Sequence, residues 1–236
     1  MSLNSEILAD APLLYHRLNT LSGTETDQGS GAHTLTYNNE GAMTRQYPGL
    51  IGSDSDTAVL MDCLNGAYCS TPHTSDLTFT AAPFTVELLW RPTVIDAGNS
   101  HTLVGKGSFG NGGWMLQNRL GALALTFLGV VDIISTFVPV VNTTYHLVCA
   151  WRASGNTDFY VNNVKENIPT AGSPTTNSQQ TTIGRDSTGA GNVDGASVFD
   201  ELAIYNTGLL DARVSAHFAA LSVAPTLLTL RSPLRW

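Results

Sequence analysis

The stretch YHLVCAW, from Tyr145 to Trp151, decides the fold class of this chain. Its residues are aromatic, β-branched or apolar, and alternation places Tyr145, Leu147, Cys149 and Trp151 on one face of an extended strand. A Ser-Gly-Asn turn and a second alternating run, DFYV, follow directly. This is the pattern of a β-hairpin with one face buried.

The same strand pattern recurs along most of the chain. The run FTVELLW at 84–90 has it, and shorter runs are separated by Gly, Asn, Ser and Pro, which is typical of an antiparallel sandwich or barrel. The segment 170–180 is polar and should be a loop. Further strands are predicted at Leu13–Leu18, Ala58–Met61, Thr102–Gly105, Trp114–Gln117, Leu123–Phe127, Ile133–Val138, Thr181–Ile183 and Val198–Tyr205.

One helix is predicted near the end of the chain. Leu210, Val214, Phe218 and Leu221 recur at helical spacing and form one apolar stripe, and Pro225 ends the pattern.

Composition limits the possible functions. The 236 residues are 42% hydrophobic but only 13% charged, about half the usual share, and the net charge is −8 with no basic run. Binding to nucleic acid depends on lysine and arginine that neutralise phosphates, so we expect no such partner. The first residues, Met1–Glu6, lack a positive region and an apolar stretch, so we expect no signal peptide. No apolar run approaches the length needed to span a bilayer, so we expect no membrane segment.

Three cysteines, Cys63, Cys69 and Cys149, are an odd number and exclude a complete disulfide framework. Cys63 and Cys69 could pair across a short turn, but three buried or half-buried thiols are the favoured interpretation.

Several motifs, in this order, carry a family resemblance. They are FTVELLW at 84–90, LVGKG at 103–107, YVNN at 160–163 and FDELAIYN at 199–206. Their order and spacing resemble the laminin G-like modules of the concanavalin A-like superfamily, as found in bacterial and bacteriophage surface proteins. The resemblance implies an all-β, two-sheet antiparallel jelly-roll sandwich over residues 1–222, with one short C-terminal helix. Residues 223–236 form a tail outside it.

The resemblance also implies a candidate calcium site. Many members hold Ca²⁺ near the aspartate of the strand that here contains Asp200, together with an N-terminal turn that here contains Asp27. Calcium prefers clustered carboxylate and carbonyl oxygens. The alternative is that Asp200 only accepts hydrogen bonds that close the sandwich, which is favoured because Asn19 stands where the family commonly has an acid.

An enzymatic function is not expected. Glycoside hydrolases on this fold carry paired carboxylates on one strand, whereas Glu87 is alone in its strand. We interpret Glu87 as a structural residue of the fold.

A glycan-binding platform is a further candidate. Trp114 and Asn111 lie in the Gly-rich stretch SFGNGGW at 108–114, where an exposed ring could stack on a sugar and an amide could bind its hydroxyls. The alternative is that Trp114, at the start of a strand, belongs to the core.

The tail is a candidate docking element. It is basic through Arg231 and Arg235, and its apolar residues would expose considerable apolar surface if left in water. Docking onto a partner and folding back as an edge strand are both open. The apolar residues are Leu227, Leu228, Leu230, Leu234 and Trp236.

Two functions are therefore carried forward from the sequence. The first is a structural protein on the surface of a bacteriophage virion, as a capsid decoration protein or tail component that binds other virion proteins and itself. The second is a carbohydrate-binding, lectin-like adhesion module. The missing signal sequence, the low charge and the apolar tail favour the first.

Overall fold

The computed structural model describes residues 1–52, 54–189 and 196–222. These residues form two antiparallel sheets that face each other, which confirms the predicted sandwich with a short C-terminal helix. The elements are α1 (Leu3–Ala9), β1 (Leu14–His16), β2 (Thr36–Asn38), β3 (Met43–Pro48), β4 (Thr57–Asp62), β5 (Tyr68–Thr71), β6 (Phe84–Pro92), β7 (Ser100–Ser108), β8 (Gly112–Arg119), β9 (Ala122–Phe127), β10 (Val131–Ile134), β11 (Tyr145–Trp151), β12 (Asn156–Val161), β13 (Val164–Pro169), β14 (Thr181–Ile183), β15 (Ala196–Tyr205) and α2 (Asp211–Ala220).

The strand order places β13 and β10 at one side of the sandwich. The front sheet runs β13-β12-β11-β6-β15-β4-β3, with β1 also paired to β15. The back sheet runs β10-β9-β8-β7-β14-β5-β2. A backbone N–H of the segment after β10, at Thr136, donates to the carboxylate of Glu166 on β13, so the two edge strands are neighbours.

Both faces of the front sheet are covered, which explains why its central strands are so apolar. The inward face of β11, with Tyr145, Leu147, Cys149 and Trp151, packs in the core between the sheets as the alternation predicted. On the outward face, Val148 packs in a second apolar cluster with residues of α1 and α2. The three cysteines are buried and free, so the expectation of unpaired thiols is confirmed.

The helices differ from the sequence expectation in two respects. Helix α1 lies in a segment for which no helix was predicted, and Ser2 caps it by accepting a hydrogen bond from the Ser5 N–H. In α2 the buried stripe is Val214, His217 and Ala220, whereas Leu210 is exposed and precedes the helix.

A buried network around Glu87 holds α1 and α2 on the front sheet. The Glu87 carboxylate lies 2.7 Å from His146 Nε2 and 3.0 Å from His217 Nδ1, and it accepts a 2.7 Å hydrogen bond from the Tyr205 hydroxyl. His217 Nε2 is 2.9 Å from Asp10, just beyond α1. Every polar partner of Glu87 is buried, so the network is structural, which agrees with the interpretation of Glu87.

The network should make stability depend on pH through His217. Burial opposes protonation, but hydrogen bonding and charge from Glu87 and Asp10 outweigh it and raise the pKa of His217. A raised folded-state pKa contributes stability that is complete below the unfolded pKa, about 6.5, and is lost as pH rises through the folded pKa.

We therefore expect His217→Gln to destabilise the fold by about 3 kcal/mol at pH 6 and by less at pH 9. Urea unfolding of both proteins at the two pH values measures the difference. Equal destabilisation at both pH values would contradict the assignment.

Candidate functional site

A β-bulge in β15 places two consecutive acidic residues, Asp200 and Glu201, inside the protein. The register between β15 and β6 shifts between Asp200 and Ala203, and Glu201 has a left-handed φ of 50°. In a regular strand neighbouring side chains point to opposite faces, whereas a bulge redirects them. The bulge concentrates negative charge at one point of the front sheet.

Three carboxylates meet there. One oxygen from each of Asp56, Asp200 and Glu201 lies within 4.8 Å of the others. Like charges at this distance repel strongly away from water, so the cluster needs cations or protons. We call these three residues the acidic cluster.

Arg17 supplies one cation to the acidic cluster. Its Nη2 lies 2.5 Å from Asp56 Oδ2, 2.9 Å from Glu201 Oε1 and 3.5 Å from Asp54 Oδ2. One arginine does not neutralise these acids and Asp200 together. Burial raises the pKa of Glu201 to about 7, and burial with the charge of Glu201 raises the pKa of Asp200.

One oxygen of Asp200 lacks a donor. Oδ2 accepts a 2.9 Å hydrogen bond from the Leu50 N–H, whereas Oδ1 is buried and has no hydrogen-bond partner in the part of the chain that the structure describes. Leaving a buried acceptor unsatisfied costs about 1–3 kcal/mol, so a proton or a cation fits at this oxygen.

The acidic cluster suits calcium by its chemistry. Its donors are hard carboxylate oxygens, which Ca²⁺ prefers, and the free Oδ1 of Asp200 provides an unused ligand atom. Asp56 and Glu201 would supply the other two carboxylate ligands. A calcium ion would have to compete with Arg17, which is paired with both. A polar depression of about 330 Å³ borders the acidic cluster at Asp56; it is lined by Ser2, Asn4, Arg17, Asp54, Ser55 and Asp56.

The structure does not bring Asp27 into this cluster. Its carboxylate accepts hydrogen bonds from the backbone N–H groups of Tyr15, Gly29 and His33, at 2.7–2.8 Å. Asp27 fixes the N-terminal turn against β1, and the carboxylates that the structure brings together with Asp200 are those of Asp56 and Glu201.

Trp114 is a core residue. Its side chain is 1% exposed, it packs 5.2 Å from the ring of Phe84, and its Nε1 donates to the Leu77 carbonyl. A ring buried between the sheets has no face for a sugar, so the platform assigned to Trp114 is wrong. Asn111 is exposed and donates a 2.7 Å hydrogen bond to Ser108 Oγ.

The exposed aromatic residue of the Gly-rich loop is instead Phe109, which is 59% exposed. It stands over a depression of about 330 Å³ that includes the β9–β10 turn. Thr126 and Asp132 add oxygen atoms, and Thr126 Oγ1 donates to Asp132 Oδ1 at 2.7 Å. We call this the loop depression; it is lined by Phe109, Thr126, Phe127, Gly129, Val130, Val131 and Asp132.

Two apolar surfaces lie beside the edge strand β10. The first, the apolar strip, consists of four exposed residues at the end of β10 and in the following loop: Ile134, Val138, Val140 and Val141. The second, the edge groove, is a cavity of about 570 Å³ between β13 and the segment after β10. It is lined by Thr136, Phe137, Tyr145, Phe159, Val161, Asn162, Val164, Lys165 and Glu166.

The remaining sequence predictions fall outside these surfaces. The docking residues Leu227, Leu228, Leu230, Leu234 and Trp236 lie beyond residue 222 and are outside the described residues. In the described part of the chain, no helix has both the length and the apolar character needed to cross a membrane.

The chain belongs to the concanavalin A-like lectin/glucanases superfamily, whose family model matches residues 65–215. The family resemblance in the sequence is thereby confirmed at the level of the superfamily. No curated protein matches the chain significantly.

Solved structures with the same fold include several toxin binding domains. The binding domain of Paraclostridial Mosquitocidal Protein 1 is 15% identical, with a TM-score of 0.67 over 89% of this chain and 52% of that one. A structure of botulinum neurotoxin type C, whose cell entry depends on interaction with two ganglioside molecules, is 12% identical, with a TM-score of 0.69 over 93% of this chain and 53% of that one. The binding domain of botulinum neurotoxin DC in complex with SialylT is 11% identical, with a TM-score of 0.65 over 93% and 52%.

These likenesses concern the fold. The identities are low, and the chain spans about half the length of each of these structures.

For the acidic cluster, we expect Asp200→Asn to weaken calcium binding by about tenfold or more, because the substitution replaces a carboxylate whose buried Oδ1 has no hydrogen-bond partner among the described residues with a neutral amide. Isothermal titration with CaCl₂ measures the affinity. Asp96→Asn, in an exposed loop, is the matched control and should bind as the unchanged protein does. Absence of calcium binding by the unchanged protein would rule the site out.

Proposed function

We propose that this chain is a non-enzymatic binding module, and that its ligand is a carbohydrate held at the loop depression. The observation that carries the proposal is that the exposed ring of Phe109 lines the same depression as the Asp132 carboxylate, which Arg119 holds by an ion pair of 2.7 Å. Sugar rings present an apolar face that packs on aromatic side chains, and their hydroxyls bind carboxylates and amides. Asn111, in the same loop, offers an amide.

The placement of the buried acids supports a binding function over a hydrolytic one. Retaining and inverting glycosidases need two carboxyl groups that flank a bond in an accessible cleft. Glu87 is committed to His146, His217 and Tyr205, and Glu201 is bound by Arg17 and Tyr15. These acids hold the fold together.

The toxin structures that share this fold favour the same class of ligand. Botulinum neurotoxin type C interacts with two ganglioside molecules for cell entry, and the binding domain of botulinum neurotoxin DC forms a complex with SialylT. We infer that a sialylated oligosaccharide is a suitable first probe for this chain.

We expect Phe109→Ala to lower carbohydrate affinity at least tenfold, because the substitution removes the ring that would pack on the sugar. Thermal stability should not change, because the ring is exposed and contributes little to the core. A glycan array screened with and without calcium identifies the ligand, and titration calorimetry then compares the variants. Leu64→Ala, at an apolar residue that is 68% exposed and lies near the opposite edge of the sheets, is the control. Equal affinity of Phe109→Ala and the unchanged protein would remove the loop depression from the proposal.

A second function is favoured by the apolar strip. We propose that the chain is a structural protein at the surface of a bacteriophage virion, where the strip docks on other virion proteins or on a second copy. Apolar side chains clustered at the surface mark interaction sites more often than isolated ones do. The low share of charged residues, 13%, supports a surface that is partly covered.

If the strip mediates self-association, the double variant Ile134→Glu/Val140→Glu should shift the full chain from oligomer to monomer in light scattering. Leu64→Glu should leave the mass unchanged. A monomeric unchanged protein would exclude self-association through this surface. Labelling of intact phage particles with an antibody against the purified chain tests the virion location, and unlabelled particles would contradict it.

A further inference from the structure

The edge groove combines an apolar floor with a carboxylate. The floor is formed by side chains that belong to the core between the sheets or pack against it: Phe137, Tyr145, Phe159 and Val161. The volume of about 570 Å³ falls in the range of small-molecule sites, about 300–1,000 Å³. Such sites bind an apolar body and orient it with a few polar groups, so the polar groups of the groove decide which ligand fits.

Glu166 is the acidic residue of the groove, and its neighbour Lys165 does not neutralise it. Glu166 pairs in the sheet with Phe159, whose ring lies in the core, so Glu166 is on the inward face of β13. Side chains alternate along a strand, which turns Lys165 to the outward face. There its ammonium group is paired with Asp158 and Asp211.

The Glu166 carboxylate is held in position but has no cation. It is half-buried, and both of its oxygens accept from a single donor, the Thr136 N–H, at 3.0 and 3.1 Å. A carboxylate has about four acceptor positions, so most of the acceptor capacity of Glu166 is unused. None of the ion pairs formed among residues 1–52, 54–189 and 196–222 includes Glu166. A positive charge on a ligand would complete the site.

Aromatic rings beside the carboxylate favour an organic cation. Phe137 and Tyr145 both line the groove, with ring centroids 5.0 Å apart and ring planes at 76° to each other. The faces of aromatic rings are negative and attract ammonium groups, while the apolar floor accommodates the attached carbon body. A metal ion would need a larger set of oxygen ligands, and an anion would be repelled by Glu166.

We propose that the edge groove binds a small organic cation, in which an ammonium group pairs with Glu166 and an apolar or aromatic body packs on Phe137 and Tyr145. The groove and the loop depression share no lining residue, so this is a second site that can be occupied independently of a carbohydrate. The proposal therefore stands or falls separately from carbohydrate binding.

Benzyltrimethylammonium is a suitable probe, and benzyl alcohol and benzoate are its neutral and anionic counterparts. In ¹H–¹⁵N NMR titrations of the full-length protein, we expect the ammonium to shift signals of residues 136–137 and 159–166, and the counterparts to shift them much less. Affinity for the ammonium should fall as the salt concentration rises, because salt screens its attraction to Glu166. Binding no tighter than that of benzyl alcohol, or shifts confined to residues outside the groove, would overturn the proposal.

Two full-length variants separate the charge from the rings. Glu166→Gln should weaken binding of benzyltrimethylammonium about tenfold, because it removes the charge that pairs with the ammonium group. Phe137→Leu should weaken it severalfold, because it keeps an apolar side chain but removes a ring. Asp96→Asn, which removes an exposed charge elsewhere, is the matched control and should bind as the unchanged protein does.

Circular dichroism confirms that each variant is folded. Equal affinity of Glu166→Gln and the unchanged protein would contradict the pairing with Glu166 and overturn the proposal. The groove could instead be covered by a second copy of the chain, which light scattering of the same samples would detect. Self-association that Val164→Glu abolishes, at a residue that is 73% exposed at the mouth of the groove, would assign the groove to that copy and also overturn the proposal.

Discussion

The buried carboxylate of Glu87 is the interaction on which the outer layer of this protein depends. A charge inside a sheet is tolerated only when its hydrogen bonds are satisfied, and here two histidines and a tyrosine satisfy it. One of those histidines belongs to α2, so Glu87 determines where that helix lies. Because His217 also contacts Asp10, the position of the segment after α1 follows from the same carboxylate.

The Glu87 network has consequences for the surfaces as well as for stability. With α2 fixed on the outward face of the front sheet, Ser215 Oγ lies 2.9 Å from Asn163 Oδ1, in the turn between β12 and β13. The edge groove opens at the same turn, on the other side of the front sheet.

Sequence periodicity predicted the sheets well because alternation reports burial directly. The inward face of Tyr145–Trp151 and the strand Thr181–Ile183 are both found as predicted. Strand β13 was not predicted, because an edge strand with exposed Val164 and Lys165 lacks an apolar face. Helix α1 was missed for a related reason: only Leu3 and Ile7 of its apolar residues are buried.

The site residues were harder to predict because they depend on the approach of distant segments. Trp114 follows a Gly-rich loop, and only the structure shows that its ring turns inward while Phe109 stays outside. Asp200 was identified from its motif, but its partners depend on the bulge at Glu201 and on a loop that brings Asp56 close. Neither relation has a local sequence signal.

The central claim is that ligands bind at the loop depression while the buried acids serve the fold. Chemical-shift mapping by ¹H–¹⁵N NMR during titration with a sialylated oligosaccharide, in the absence of calcium, tests it most directly. The account predicts shifts confined to residues 108–112 and 126–132. Shifts centred on Asp56, Asp200 and Glu201, or no shifts with any oligosaccharide that the array selects, would contradict it.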